Sequence, residues 1–137
     1  MSIVMDTVSV DAAGKLLDFP AAIIEQLHSY GLIQGDGLMV DIDDAARVVD
    51  ELRATMRPFV GVPILISDAA RKYGFNPGSI YNWVIGGWVK VLIEQPKRQV
   101  DEGDIALAKA IANLQGHIAG RAVFPAKPRS GRPRKEP

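Results

Sequence analysis

Cysteine is absent from the 137 residues, which excludes disulfide scaffolds, thiolate zinc sites, iron–sulfur clusters and a cysteine nucleophile. Histidine is scarce: His28 and His117 are the only two, and neither sits at a metal-ligand spacing, so both read as surface or packing residues. No apolar run approaches the roughly 18 residues that a membrane span needs. The start, MSIVMDTVSVD, lacks the basic opening and apolar stretch of a secretory signal. No glycine-rich loop carries the lysine of a phosphate-binding site, and Ser67 has no histidine nearby. Asp41, Asp43 and Asp44 cluster, but they fall where a hairpin hands over to a helix, a place for caps. These absences point away from an enzyme, a bound metal or a cofactor, and a cytoplasmic location is expected.

Hydrophobic residues make up 47% and charged residues 23%, enough to expect a folded chain of one compact domain or two very small ones. A formal net charge of zero hides a gradient. Residues 1–60 hold ten acidic and four basic side chains, and residues 61–120 hold five and six. Residues 121–137 hold one acidic and six basic. The front is ill suited to a phosphate backbone and the end well suited to one. The last twelve residues, AKPRSGRPRKEP, have almost nothing to bury and read as a disordered or extended arm, either a solubilising end or a contact for a polyanion.

The chain also repeats itself. Asp11-Ala12-Ala13 matches Asp68-Ala69-Ala70, Gly31-Leu32-Ile33 matches Gly87-Trp88-Val89, and Val40-Asp41 with Asp44 matches Val100-Asp101 with Asp104. Three blocks in the same order suggest a duplicated unit. In the second copy Ser67 is a candidate N-cap for a helix over about Asp68–Tyr73, which Gly74 ends. Asn76 caps the next helix with Pro77 at its first position, and Ile80, Trp83 and Val84 give it one apolar face before Gly86-Gly87 stops it. A strand over Trp88–Ile93, a turn at Glu94–Lys97, a return over Arg98–Val100 and a helix started by Asp101 or Asp104 and reaching Ala119 complete the copy. The first copy reads as helices over Val10–Leu17, Pro20–Ser29 and Asp43–Met56, with Gln34–Gly37 turning a hairpin. Trp83 and Trp88 read first as core residues.

This pattern resembles the winged helix-turn-helix domains of the MerR and phage-excisionase type. The residues that carry the likeness are Ala69-Ala70, Gly74, Asn76-Pro77, Ile80 with Trp83, and Gly87-Trp88-Val89, within residues 64–106. Residues 8–48 look like a weaker copy, with Leu27 in place of the tryptophan. The expected fold is therefore mainly α with small β-hairpin wings: tandem winged helix-turn-helix units over 1–60 and 61–120, then a basic tail over 121–137. The resemblance implies binding to double-stranded DNA, with the second helix in the major groove. Ser79, Tyr81, Asn82 and Asn76 would face the groove. Lys90, Lys97 and Arg98 would belong to the wing, and Arg71 and Lys72 would lie near the phosphate backbone. Asn82 suits a bidentate pair with adenine, while Asn76 also serves as a cap and Lys97 and Arg98 also suit a polar hairpin tip. The tail is similar to an AT-hook over Gly131-Arg132-Pro133-Arg134-Lys135, although Ser130 separates Arg129 from Gly131. Arg129, Arg132, Arg134 and Lys135 are its candidate contacts.

The acidic first copy fits self-association or a protein partner better than a duplex, and Ile24 would point outward if Ile23 and Leu27 face the core. Two functions stand at this stage. One is a small DNA-binding protein, a transcription regulator or an accessory factor in recombination or phage biology. The other is a protein-interaction or assembly module that keeps the helix-turn-helix shape without reading bases; no Arg or Lys lies between Asn76 and Val89.

Overall fold

Ser9 ends a short strand and its hydroxyl accepts the Ala12 amide at 3.1 Å, so the first helix starts where an open N–H finds a side-chain acceptor. The computed structural model describes residues 6–116 and 122–125. Six helices and two three-stranded antiparallel sheets make up a mixed α/β fold. The first half runs β1 (Thr7–Ser9), α1 (Val10–Leu17), α2 (Ala21–Ser29), β2 (Gly35–Asp36), β3 (Met39–Asp41) and α3 (Ile42–Met56). A single 3-10 turn over Arg57–Phe59 leads to the second half. That half repeats the order as β4 (Pro63–Leu65), α4 (Ile66–Tyr73), α5 (Pro77–Ile85), β5 (Val91–Ile93), β6 (Gln99–Asp101) and α6 (Glu102–Gln115).

The repetition extends to individual bonds. In each sheet the last strand lies in the middle, β1-β3-β2 and β4-β6-β5, and its central valine, Val40 or Val100, is fully buried. Asp41 caps α3 by accepting the Asp43 amide at 3.0 Å, and Asp101 caps α6 by accepting the Gly103 amide at 2.8 Å. One turn later, Asp44 accepts the Gln34 amide at 2.7 Å and Asp104 accepts the Lys90 amide at 2.8 Å. Each carboxylate thus ties its third helix to the strand of chain ahead of the hairpin. The halves differ in hairpin length: β2 and β3 are joined by two residues, β5 and β6 by five.

The alanine blocks pair differently from the sequence expectation. Helices α1 and α4 begin at Val10 and Ile66, so Ala13 matches Ala69, both fully buried, and Asp11 matches Ser67 rather than Asp68. Ser67 is not the cap. Burial of Ile66 places the helix start earlier, and Leu65 stands at the cap position without a side-chain bond. The third strands, β1 and β4, were not foreseen, because three residues are too few to show a period. Helix α6 starts at Glu102 and ends at Gln115, with Gly116 beyond it; His117, Ile118 and Ala119 lie outside the described residues.

One apolar cluster runs through both halves. Ile23, Ile24 and Leu27 of α2, Val48, Val49 and Leu52 of α3, Ile80 of α5, and Ile105, Ala108 and Ile111 of α6 all belong to it, with α3 packed against α6. Ile24 is fully buried, contrary to the outward orientation expected, since it takes the place in α2 that Ile80 takes in α5. Arg53 of α3 donates to the carbonyls of Leu17 and Asp18, closing the end of α1 where Asp18 adopts a left-handed backbone. No helix among the described residues is long and apolar enough to cross a membrane.

Candidate nucleic-acid interface

Gly74 leaves α4 with φ 77°, and two residues later the Asn76 side chain accepts the Gly78 amide at 2.7 Å to open α5. Pro77 follows at the first helical position, where its missing N–H costs no bond. Ile80 fixes the inner face of α5, fully buried, with Trp83 and Val84 half-buried beside it. The outer face carries Tyr81, Asn82 and Ile85, all exposed, with Ile85 at 75%. Ser79 lies half-buried between the two faces. A protruding helix face that offers an amide and a phenol is what base-edge contact needs. Here it is apolar at one end and carries no charge.

The candidate cations among the described residues are all exposed and differ in the carboxylates beside them. Arg71 is exposed and pairs with Asp68 one turn back at 2.5 Å. Lys97 is exposed in the turn between β5 and β6, and Arg98 beside it pairs with Glu94 at 3.3 Å. Lys90, ahead of β5, is 4.0 Å from the Asp101 carboxylate. The Arg71 and Arg98 pairs are exposed on both sides and therefore weak, whereas the Asp101 carboxylate near Lys90 is buried. Lys72 is different. Its ammonium donates to the buried Glu102 at 2.5 Å and sits 5.0 Å above the Phe59 ring, so it ties α4 to α6 and the linker. Lys72, expected near the phosphate backbone, thus has an internal partner while its side chain stays half exposed. Burial works most strongly against the Glu102 charge, yet the bonds from Lys72 and Tyr73 outweigh it and hold the carboxyl below its ordinary value. Burial first, and the Glu102 carboxylate second, push the Tyr73 phenol up.

Five residues connect α5 to β5, and Gly87, at φ 85°, turns the chain there. Asn76, Ser79, Tyr81 and Asn82 are thus gathered on one short helix, with Arg71 on the helix before it and Lys97 and Arg98 on the hairpin after it. Arg129, Arg132, Arg134 and Lys135 lie outside the described residues.

Behind α5 is a group of rings that the sequence reading did not assemble. Trp83 meets Phe75 edge-on at 5.0 Å and Phe124 edge-on at 5.3 Å, while Trp88 stacks flat on Phe124 at 5.3 Å. Residues 122–125, counted with the tail from sequence, are therefore part of the fold, and Phe124 is only 4% exposed. The apolar pair Val123-Phe124 ahead of Pro125 was the signal for this. Trp83 and Trp88 take the core places expected of them, with the chain's own C-terminal segment as their filling.

The helix that matches α5 in the first half faces a different fate. Ile23, Ile24 and Leu27 of α2 are fully buried, and Gln26 turns inward instead of reaching out. Its amide donates to Gln115 Oε1 at 3.2 Å, to the Ala122 carbonyl at 3.1 Å and to the Val123 carbonyl at 3.0 Å. Among the described residues no group of three or more His, Asp or Glu side chains is placed to hold a metal ion. Comparison with protein-family models, with curated proteins and with solved structures finds no match to this chain.

Proposed function

We propose that the chain is a small DNA-binding protein built of two tandem winged helix-turn-helix units, acting as a transcription regulator or as an accessory factor in recombination or phage biology. The second unit does the reading. Helix α5 enters the major groove with Asn82 and Tyr81 leading and Ser79 nearer the helix neck. Arg71 and the β5–β6 hairpin, through Lys97 and Arg98, hold the flanking phosphates, and the basic tail adds affinity in the minor groove. The observation that carries this reading is the capped helix α5 with Tyr81 and Asn82 exposed and uncharged on its outer face, whereas the matching positions of α2 hold an exposed acid, Glu25, and Gln26, which is bonded inside the fold.

The test is fluorescence anisotropy on a randomised duplex pool followed by the selected site. Asn82→Ala should cost about 1–3 kcal/mol on the selected site and relax discrimination at one base pair. Arg71→Ala or Lys97→Ala should weaken all duplexes alike and lower the salt slope by about 1. No association of the intact protein with any duplex at low salt would remove the proposal.

A second reading has its own observation. Ile85 and Tyr81 leave an apolar strip on the same helix face, which fits docking onto a protein rather than onto bases. It would be favoured by a stoichiometric protein complex that Ile85→Asp abolishes while Arg71→Ala and Lys97→Ala leave it intact.

A further inference from the structure

The last described residues do not simply trail off. Between the end of α6 and the basic arm, Ala122–Pro125 is held by two different kinds of contact. Side-chain amides grip its backbone: Gln26 donates to the carbonyls of Ala122 and Val123, and Gln115 donates to the Ala122 carbonyl at 3.0 Å. Rings grip its side chain, with Phe124 lodged between Trp83 and Trp88. The Trp88 indole N–H then donates to the Pro125 carbonyl at 3.0 Å. Pro125 is therefore fixed one residue before the arm begins. Trp83 belongs to α5 itself, and Trp88 lies in the short link from α5 to the hairpin. The arm leaves the fold from behind the helix proposed to read DNA.

We propose that Phe124 is a positioning residue which sets the departure point of the basic arm, so that arm and α5 meet one duplex as a single composite surface. The inference rests on the DNA-binding reading above and assigns the first half a task within it. Helix α2, which matches α5 in place, does not read a second site. It acts as a brace, spending Gln26 on the strap that carries Phe124. The gain is one of effective concentration. With Phe124 seated, the arm starts at a fixed point. Were the whole strap released, the nearest described residue before it would be Gly116, nine residues ahead of Pro125. A flexible link of that length spreads its end over about 15–18 Å, wider than the major groove.

The test is a double-mutant cycle on the full chain, pairing Phe124→Ala with removal of residues 126–137, read as duplex affinity against salt. In the native background the truncation should weaken binding by about tenfold or more and flatten the salt slope, since the arm carries five Lys or Arg side chains. In the Phe124→Ala background the same truncation should cost no more than about threefold. A residue that matters only for stability would lower affinity without changing the cost of the truncation. Equal costs in the two backgrounds overturn the positioning role and leave DNA binding standing. Absence of binding by the intact chain overturns DNA binding, and the positioning role with it. Should Phe124→Ala fail to fold, Gln26→Ala loosens the strap without emptying the ring cluster and is judged by the same criterion. Tryptophan fluorescence reports release of the strap directly, because both tryptophans of the chain touch Phe124.

Discussion

Replacing Asp44 by Asn and Asp104 by Asn should shift stability in opposite directions, although the two carboxylates hold matching places. Asparagine keeps an oxygen for the backbone amide that each one binds, so the change isolates the charge. At Asp44, Arg47 donates from Nη2 at 2.8 Å and from Nε at 3.1 Å. Burial opposes that charge most strongly, but the Gln34 amide and Arg47 outweigh it and hold the pKa below 3.8. Asp104 has no such partner, because Leu107 stands three residues on where α3 has Arg47. Burial, and after it the nearby Asp101 charge, push its pKa above 3.8 despite the Lys90 amide.

Asp44→Asn therefore loses a charge-assisted bond and should cost about 1 kcal/mol. Asp104→Asn removes a charge that the fold opposes and should be neutral or stabilising by up to about 1 kcal/mol. On a chain of this size 1 kcal/mol moves Tm by roughly 4 °C. The pH dependence carries the sign. The Asp44 contribution is present above its unfolded value and is lost as pH falls through the lower folded value, so native and Asp44→Asn converge in acid. The Asp104 penalty is complete above its raised folded value and fades as pH falls through it, so the advantage of Asp104→Asn shrinks in acid. Urea unfolding of the three proteins at neutral pH and in mild acid measures both effects. Equal destabilisation by the two substitutions at neutral pH would refute the reasoning.

Three further outcomes can be checked directly. His28 places Nδ1 2.9 Å from the Ile33 carbonyl and Nε2 2.9 Å from the Gly37 carbonyl, an arrangement only the imidazolium satisfies on both sides; the Ile33 bond, then the Gly37 bond, raise its pKa above 6.5. Its stabilisation should be complete below 6.5 and disappear as pH rises through the folded value, and an NMR titration of the ring at or below 6.5 would contradict this. Gly35→Ala should destabilise by about 2 kcal/mol or more, because the new Cβ would stand 2.1 Å from the Met39 carbonyl oxygen and 2.5 Å from the His28 ring; unchanged urea unfolding would count against the hairpin packing described. Asn76→Ala should lower stability by about 1 kcal/mol through loss of the α5 cap, and a thermal melt of the free protein separates that effect from any loss of base contact.

Much of the element order was legible in the residues because it depends on neighbours in sequence. The bounds of α1 and the start of α5 follow from capping side chains, Pro77 and apolar spacing, all local. Asp41 and Asp101 announce their helices in the same way. The positions of the candidate readers on α5 follow too, since Ile80 alone decides which way a short helix faces. What stayed hidden depends on residues distant in sequence. The bond from Lys72 to Glu102, thirty residues on, is one example. Ile24 looked exposed because helical spacing cannot tell a face lying on water from one lying on a second element.

The amino-acid sequence by itself determined the duplication, the helices with their caps and turns, and the charge gradient from an acidic front to a basic end, because each is set by local backbone preference or by composition. Only the tertiary structure decided which copy turns an amide side chain of its second helix into the fold and which leaves it outward. That outcome turns on where a distant part of the chain comes to lie: Gln26 of α2 bonds to Gln115 and to the backbone of Ala122 and Val123, whereas Asn82, at the matching place on α5, is exposed among the described residues. Contacts between residues some ninety positions apart leave no trace in local spacing, since a glutamine bonded within the fold and one left in water are written with the same letter.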